Sequence, residues 1–241
     1  RRRAPTPGAP SERGRHAGRP YWLWLPASRP PWPAIVIIHG ASSRKENHAD
    51  FARAAAAMGW AALCFDQRGH GESEDEMAPA ALGDVTRMAR MLAEREEVDV
   101  ARICARGSSM GGFMAIHAAA TSDLLAGVIA ICPAGERSLA EGFRQGRFEL
   151  RCGEQSRRSM IAWLGELDLR DAVELLGSKP LLLAHAAGDQ QVPSSWSAEL
   201  YEHAHDPRKL LLLPGGSHRS VQHDPEIQAV SLSWLRRNLP G

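Results

Sequence analysis

The sequence predicts an α/β protein, a mostly parallel, doubly wound sheet with helices on both faces and a small helical insertion late in the chain. Two observations carry this. Short apolar runs alternate with longer stretches of helical period along nearly the whole sequence. Those runs are apolar at almost every position, as in Gly127-Val128-Ile129-Ala130-Ile131-Cys132 and Leu181-Leu182-Leu183-Ala184, which suits parallel strands buried on both faces. With 241 residues the chain is long enough to bury one continuous core, and it shows no internal repeat.

Taken in order, the first twenty residues place Arg1, Arg2, Arg3, Arg13, Arg15 and Arg19 against only Glu12, among Pro and Gly. Residues 1–20 therefore read as a disordered arm, and residues 21–241 as a single domain. Strands are expected at 21–25, 34–38, 60–65, 102–107, 127–132, 181–186 and 209–213. Helices at 46–58, 80–96, 111–121, 194–204 and 225–238 separate them, as right-handed crossovers require. Between Pro133 and Pro180 no run reads as a strand. That insertion, about 134–179, is expected to hold helices near 136–146, 155–164 and 168–176.

A formal net charge of +1 argues against a nucleic-acid partner. The Arg-Arg start is not followed by an apolar stretch of signal-peptide length, and no run is long enough to span a bilayer, so stable membrane insertion is not expected. Cys64, Cys104 and Cys132 fall in apolar strand patterns, where a reduced thiol behaves as a small hydrophobe, and Cys152 lies in a polar region. No C-x-x-C pair or zinc ligand set occurs. The expectation is a reduced, cytoplasmic protein with no metal and no cofactor, and with monomer and dimer both open.

The most informative segment is Gly107-Ser108-Ser109-Met110-Gly111, a G-x-S-x-G between a strand pattern and a helical one. That is the sequence form of a nucleophile elbow, in which small flanks let backbones pass closely while the serine hydroxyl projects outward. Chance supplies roughly 0.16 such matches in a chain of this composition, so context decides. Upstream, Ala34-Ile35-Val36-Ile37-Ile38 ends in His39-Gly40. The turn Asp66-Gln67-Arg68-Gly69-His70-Gly71-Glu72-Ser73 also lies upstream, and downstream come Gly188-Asp189-Gln190-Gln191-Val192-Pro193 and Gly215-Gly216-Ser217-His218. Ser109, Asp189 and His218 follow the order Ser, Asp, His, which differs from the chymotrypsin and subtilisin orders.

On these motifs the chain, from about Tyr21 to Leu239, resembles the α/β-hydrolase superfamily, in its carboxylesterase, lipase-like and serine-aminopeptidase-like branches. The resemblance implies the α/β-hydrolase fold, with the insertion acting as a small helical cap after the sixth strand. It also implies Ser109 as nucleophile, His218 as base, Asp189 as orienting acid, and an oxyanion hole from the backbone N–H groups of Met110 and Ala41. The chemistry is consistent: a serine hydroxyl needs a base, and the base needs a carboxylate to fix its tautomer. The function implied is a serine carboxylesterase acting on short to medium acyl esters. Peptidases, thioesterases and carbon–carbon bond hydrolases share the triad, and a non-catalytic ligand-binding member is the reading from another class. Ser109 argues against haloalkane dehalogenases and epoxide hydrolases, which resemble this scaffold but carry aspartate at the elbow, and against dienelactone hydrolases, which carry cysteine.

Several residues compete for these roles. Asp168 and Asp171 rival Asp189, and His223 rivals His218. His39 and His70 read as loop-shaping residues, His185 as strand-end packing, and Asp66 and Arg68 as a brace for the turn after the fourth strand. Trp163 and Trp196 line an acyl pocket or pack the core. The cap arginines Arg137, Arg144, Arg147, Arg151, Arg157, Arg158 and Arg170 are nearly balanced by acidic neighbours, which reads as an ion-paired surface. The alternative is that some face inward to hold an anionic acyl or alcohol group.

Overall fold

The computed structural model describes residues 8–239. Eight strands form one sheet: β1 (Glu12–His16), β2 (Arg19–Trp24), β3 (Trp32–Ile38), β4 (Ala61–Phe65), β5 (Val98–Ser108), β6 (Val128–Ile131), β7 (Leu181–Ala186) and β8 (Arg208–Leu213). Their spatial order is β1-β2-β4-β3-β5-β6-β7-β8. The first three neighbours pair antiparallel through β2, and every pairing from β4 onward is parallel. Strands β3, β4, β6 and β7 are buried at every position, which is why their sequences show no polar alternation. The edge strand β8 is only partly buried.

Two helical layers cover the sheet. On one face α1 (Ala49–Ala57) and α9 (Pro225–Asn238) pack on Ile35, Ile37, Ala62 and Leu182, joined by the short α8 (Ser220–His223). On the other, α2 (Ala81–Ala93), α3 (Met110–Ala120) and α7 (Ser194–His203) cover Val36, Ile38, Leu63 and Leu183. Helix α3, apolar but for His117, is buried from Met110 to Ala119, because the insertion closes over it. The insertion holds α4 (Glu136–Arg144), α5 (Glu154–Leu164) and α6 (Leu169–Leu175). The start of α9 is set by Asp224, whose carboxylate accepts from the Glu226 and Ile227 N–H groups, with Pro225 behind it.

The expected disordered arm is corrected from Glu12 onward; residues 1–7 of that arm lie outside the described residues. Strands β1 and β2 form a hairpin whose turn, Ala17-Gly18, has positive φ at both positions (47° and 77°). The arginines that looked unpaired in sequence find acids far along the chain. Arg95 clamps Glu12 with bonds of 2.8 and 3.1 Å. Arg19 is buried, donates to Ser73 Oγ at 2.6 Å, and pairs with Asp75 and with Asp84. Local charge counting cannot see partners that tertiary folding supplies.

Candidate active site

The elbow is built by close backbone approach. Ser109 sits between β5 and α3 at φ 54°, ψ −121°, a left-handed conformation costly for any residue with a Cβ. A Cβ on Gly107 would overlap the Gly111 carbonyl, and one on Gly111 would overlap the Ile38 carbonyl and lie 2.6 Å from that of His39. Gly40 also passes close, its Cβ position being 3.2 Å from the Ser109 Cβ. The segment after β3 therefore lies directly against the predicted nucleophile. Neither the Ala41 nor the Met110 backbone N–H donates to a protein acceptor among the described residues, so both are free to meet negative charge beside Ser109.

His39 fixes that segment. Its Nδ1 donates to the Gly40 carbonyl at 2.8 Å, and its Nε2 accepts from the Gln67 N–H at 3.1 Å. Burial, with the neighbouring His70, pushes the imidazole down to about 3, so the ring is a neutral brace. Asp66 braces the next loop: it accepts from the Lys45 N–H, the Lys45 ammonium and the Glu72 N–H at 2.8–2.9 Å. Burial opposes its ionisation, but these donors hold the carboxyl below its ordinary range. Arg68 completes the brace on the buried Asp84 at 2.7 Å.

The predicted acid and base meet. Asp189 Oδ2 accepts from His218 Nδ1 at 2.6 Å, and Oδ1 accepts from the Gln191 and Val192 N–H groups at 2.8 and 3.0 Å. Burial raises the cost of the charge, and these hydrogen bonds overcome it, leaving the carboxyl below its usual range. A fixed Nδ1–H leaves the other ring nitrogen of His218 as the acceptor. Ser109 and His218 line the same cavity, although the Ser109 hydroxyl makes no hydrogen bond among the described residues. Such bonds are often long before substrate binds.

The competitors lie elsewhere. Asp168 caps α6 and pairs with Arg170. Asp171 is exposed in the first turn of α6. His223 donates to Asp50 at 2.9 Å and its ring stacks on that of His48, so it lines the cavity without reaching Asp189. Trp163 packs edge-on against Phe113, with ring centroids 6.0 Å apart. Trp196 lines a separate cavity of about 370 Å³ beside Pro193; neither tryptophan lines the cavity at Ser109.

His185 is more than a packing residue. Fully buried at the end of β7, it accepts from Ser197 Oγ at Nδ1 (2.7 Å) and shares its Nε2–H between the Val192 carbonyl (3.0 Å) and Asp189 Oδ2 (3.2 Å). Burial holds its pKa low, so the ring stays neutral. The signal in sequence is its spacing, four residues before Asp189. Cys132 lies close by, and its thiol, with His185 and Asp189, places three potential metal-ligating atoms within 4.8 Å of one another. Two of these groups are already committed to the hydrogen bonds just described, and burial pushes the Cys132 thiol up to about 12, so it stays protonated beside them.

The cavity above Ser109 has a volume of about 800 Å³, with Ser138, Leu139, Arg147 and Phe148 of the cap forming one wall and Arg219 and Gln222 another. The second wall is anchored from below by Arg106, buried in β5 beside the elbow, which donates to His48 Nδ1 at 2.8 Å and to the Gln222 carbonyl at 3.3 Å. Burial lowers this guanidinium to about 10, so it remains charged at neutral pH. Sequence reading named none of Arg219, Gln222 and Arg106, because their places depend on loops converging from separate strands. Among the described residues no helix is long and apolar enough to cross a membrane, and all four cysteines are free.

The family described as serine aminopeptidase, S33, matches residues 29–146, a span that includes Ser109 but neither Asp189 nor His218. An uncharacterized protein of Mycobacterium tuberculosis is 28% identical over 227 residues, covering 90% of this chain and 73% of its own length. Esterase YjfP of Escherichia coli is 24% identical over 227 residues, covering 87% of this chain and 90% of its own. Among solved structures, Est1E from Butyrivibrio proteoclasticus, with ferulic acid bound, superposes with a TM-score of 0.75 at 21% identity, over 95% of this chain and 99% of that one.

Proposed function

We propose that this chain is a serine hydrolase of the α/β-hydrolase superfamily, a carboxylesterase cleaving short to medium acyl esters in the cytoplasm. The observation that carries the reading is the convergence of a left-handed serine, two undirected backbone N–H groups and a carboxylate-held imidazole on one cavity. Ser109 Oγ attacks the acyl carbonyl as His218 takes its proton. The tetrahedral oxyanion is met by the Ala41 and Met110 N–H groups, and donors of this kind contribute about 2.7–4 kcal/mol where one has been removed from an enzyme. His218 returns the proton to the departing alcohol, and water then attacks the acyl-enzyme by the same route. Asp189 stabilises the imidazolium that forms in each step. The location rests on four free thiols, three of them buried, which a reducing compartment preserves.

A second reading, hydrolysis of an amide, is favoured by the description of the family matched over residues 29–146. The test is turnover of a p-nitrophenyl ester series of increasing acyl length, with aminoacyl anilides alongside, on wild type and Ser109→Ala. The expected result is ester turnover peaking at short chains and falling roughly 10⁴-fold or more in the variant. Substantial activity in Ser109→Ala would remove Ser109 as nucleophile. Anilides cleaved in preference to esters would select the peptidase reading.

A further inference from the structure

We propose that the substrate carries a carboxylate, in its acyl or its alcohol part, and that Arg147 and Arg219 bind it. This rests on the reading of Ser109 as an acyl-transfer nucleophile and adds the chemical class of the substrate. The cavity at Ser109 is lined by Arg147 from the cap and Arg219 from the loop that carries His218, and no aspartate or glutamate lines it. Of the acids bonded to lining residues, Asp189 is buried and already accepts four hydrogen bonds, including that of His218, and Asp50 accepts from His223 and Gln228.

Position rather than pairing sets Arg147 apart: Arg137, Arg151 and Arg157 of the cap also form no ion pair among the described residues, but they do not line this cavity. Arg144, Arg158 and Arg170 of the cap pair with Glu141, Glu154 and Asp168, as solvated surface charges do. Arg147 and Arg219, both exposed, form no ion pair among the described residues, and both line the cavity. Asn47, Gln190 and Gln222 add neutral amides to the lining. A concave site with two unneutralised guanidinium groups concentrates an anion, and the planar fork suits a carboxylate. It also offsets a conflict in the chemistry, because a substrate carboxylate near the reacting carbonyl would otherwise repel the developing oxyanion.

The test compares carboxylate esters with neutral isosteres in which an isopropyl group replaces the carboxylate. Monoethyl succinate, glutarate and adipate are each set against the matching branched ethyl ester, and acetyl esters of short hydroxy acids against their branched counterparts, followed by pH-stat. The expected result is a kcat/KM at least about ten-fold higher for one or more of the anionic esters, a preference that shrinks in 0.5 M NaCl, as about a Debye length of 4 Å dictates. In Arg147→Gln/Arg219→Gln the ratio should approach one. Parity in wild type, or a preference that survives the double substitution, overturns the proposal while leaving ester hydrolysis standing. If wild type cleaves no ester, fluorophosphonate labelling of Ser109 carries the test: protection by succinate or adipate in wild type supports the carboxylate site, and absence of protection overturns it. Failure of labelling itself would instead remove the nucleophile reading.

Discussion

Replacing His185 by phenylalanine separates bracing of the acid from proton handling. The aromatic ring fills nearly the same volume but removes the Nε2–H shared by the Val192 carbonyl and Asp189 Oδ2, and the acceptor of the Ser197 hydroxyl. A buried partner left unsatisfied costs about 1–3 kcal/mol. With Val192 and Ser197 both affected, the loss of stability should be about 2–5 kcal/mol, read as a lower urea midpoint at unchanged slope. Asp189 keeps three of its four donors, including His218 at 2.6 Å, and the lost one was the longest at 3.2 Å. Its orientation is therefore largely retained, and kcat/KM should fall only about ten-fold. Asp189→Asn, which corrupts the tautomer of the base, should cost about 10⁴-fold. An activity loss in His185→Phe as large as that of Asp189→Asn would refute the reasoning, because His185 would then take part in the proton transfer itself. A variant with unchanged stability would refute it differently, by showing that the three hydrogen bonds contribute nothing net.

Two further outcomes follow from the loops around the site. Gly111→Ala should abolish soluble, folded protein, because its Cβ would overlap the Ile38 carbonyl, backbone that cannot move without breaking β3; expression and circular dichroism read this directly. Lys45→Met should cost about 3–5 kcal/mol at neutral pH, since it strands the buried Asp66 carboxylate without its cation. Because the donors around Asp66 depress its folded pKa, the contribution is present above the unfolded value and lost as pH falls through the folded one. The deficit of the variant should therefore narrow on acidification, as measured by urea unfolding across the carboxylate range.

The strands at the sheet centre were legible because burial on both faces leaves an uninterrupted apolar run, as in β3 and β7. The expected helices of the insertion, near 136–146, 155–164 and 168–176, correspond to α4, α5 and α6 within two residues at each end. Strand β1 was not legible: its sequence Glu12-Arg13-Gly14-Arg15-His16 is polar on both faces, and what orders it is the pairing with β2 and ion pairs to residues as distant as Arg95. The short α8 was also missed, because four residues carry no period. At the site, Ser109, Asp189 and His218 stood out through local spacing, whereas His185 did not, since an apolar strand hides the direction in which one ring points. Arg219 was invisible for a related reason: its place in the cavity depends on how the chain leaves β8.

The three residues proposed to act together, Ser109, Asp189 and His218, are held with unequal firmness. Ser109 follows the central strand β5, flanked by paired strands on both sides, while His218 hangs from a loop after the edge strand β8, whose Leu212 is 50% exposed. Opening of an edge and its loop needs far less free energy than global unfolding. Mild heating or low denaturant would thus withdraw His218, the proposed base, while the elbow remains intact, and the proposed catalysis would stop before the sheet melts. On the proposed mechanism, activity would report on the last strand, and a substitution that tightens β8 against β7 would extend the working temperature range without touching the chemistry.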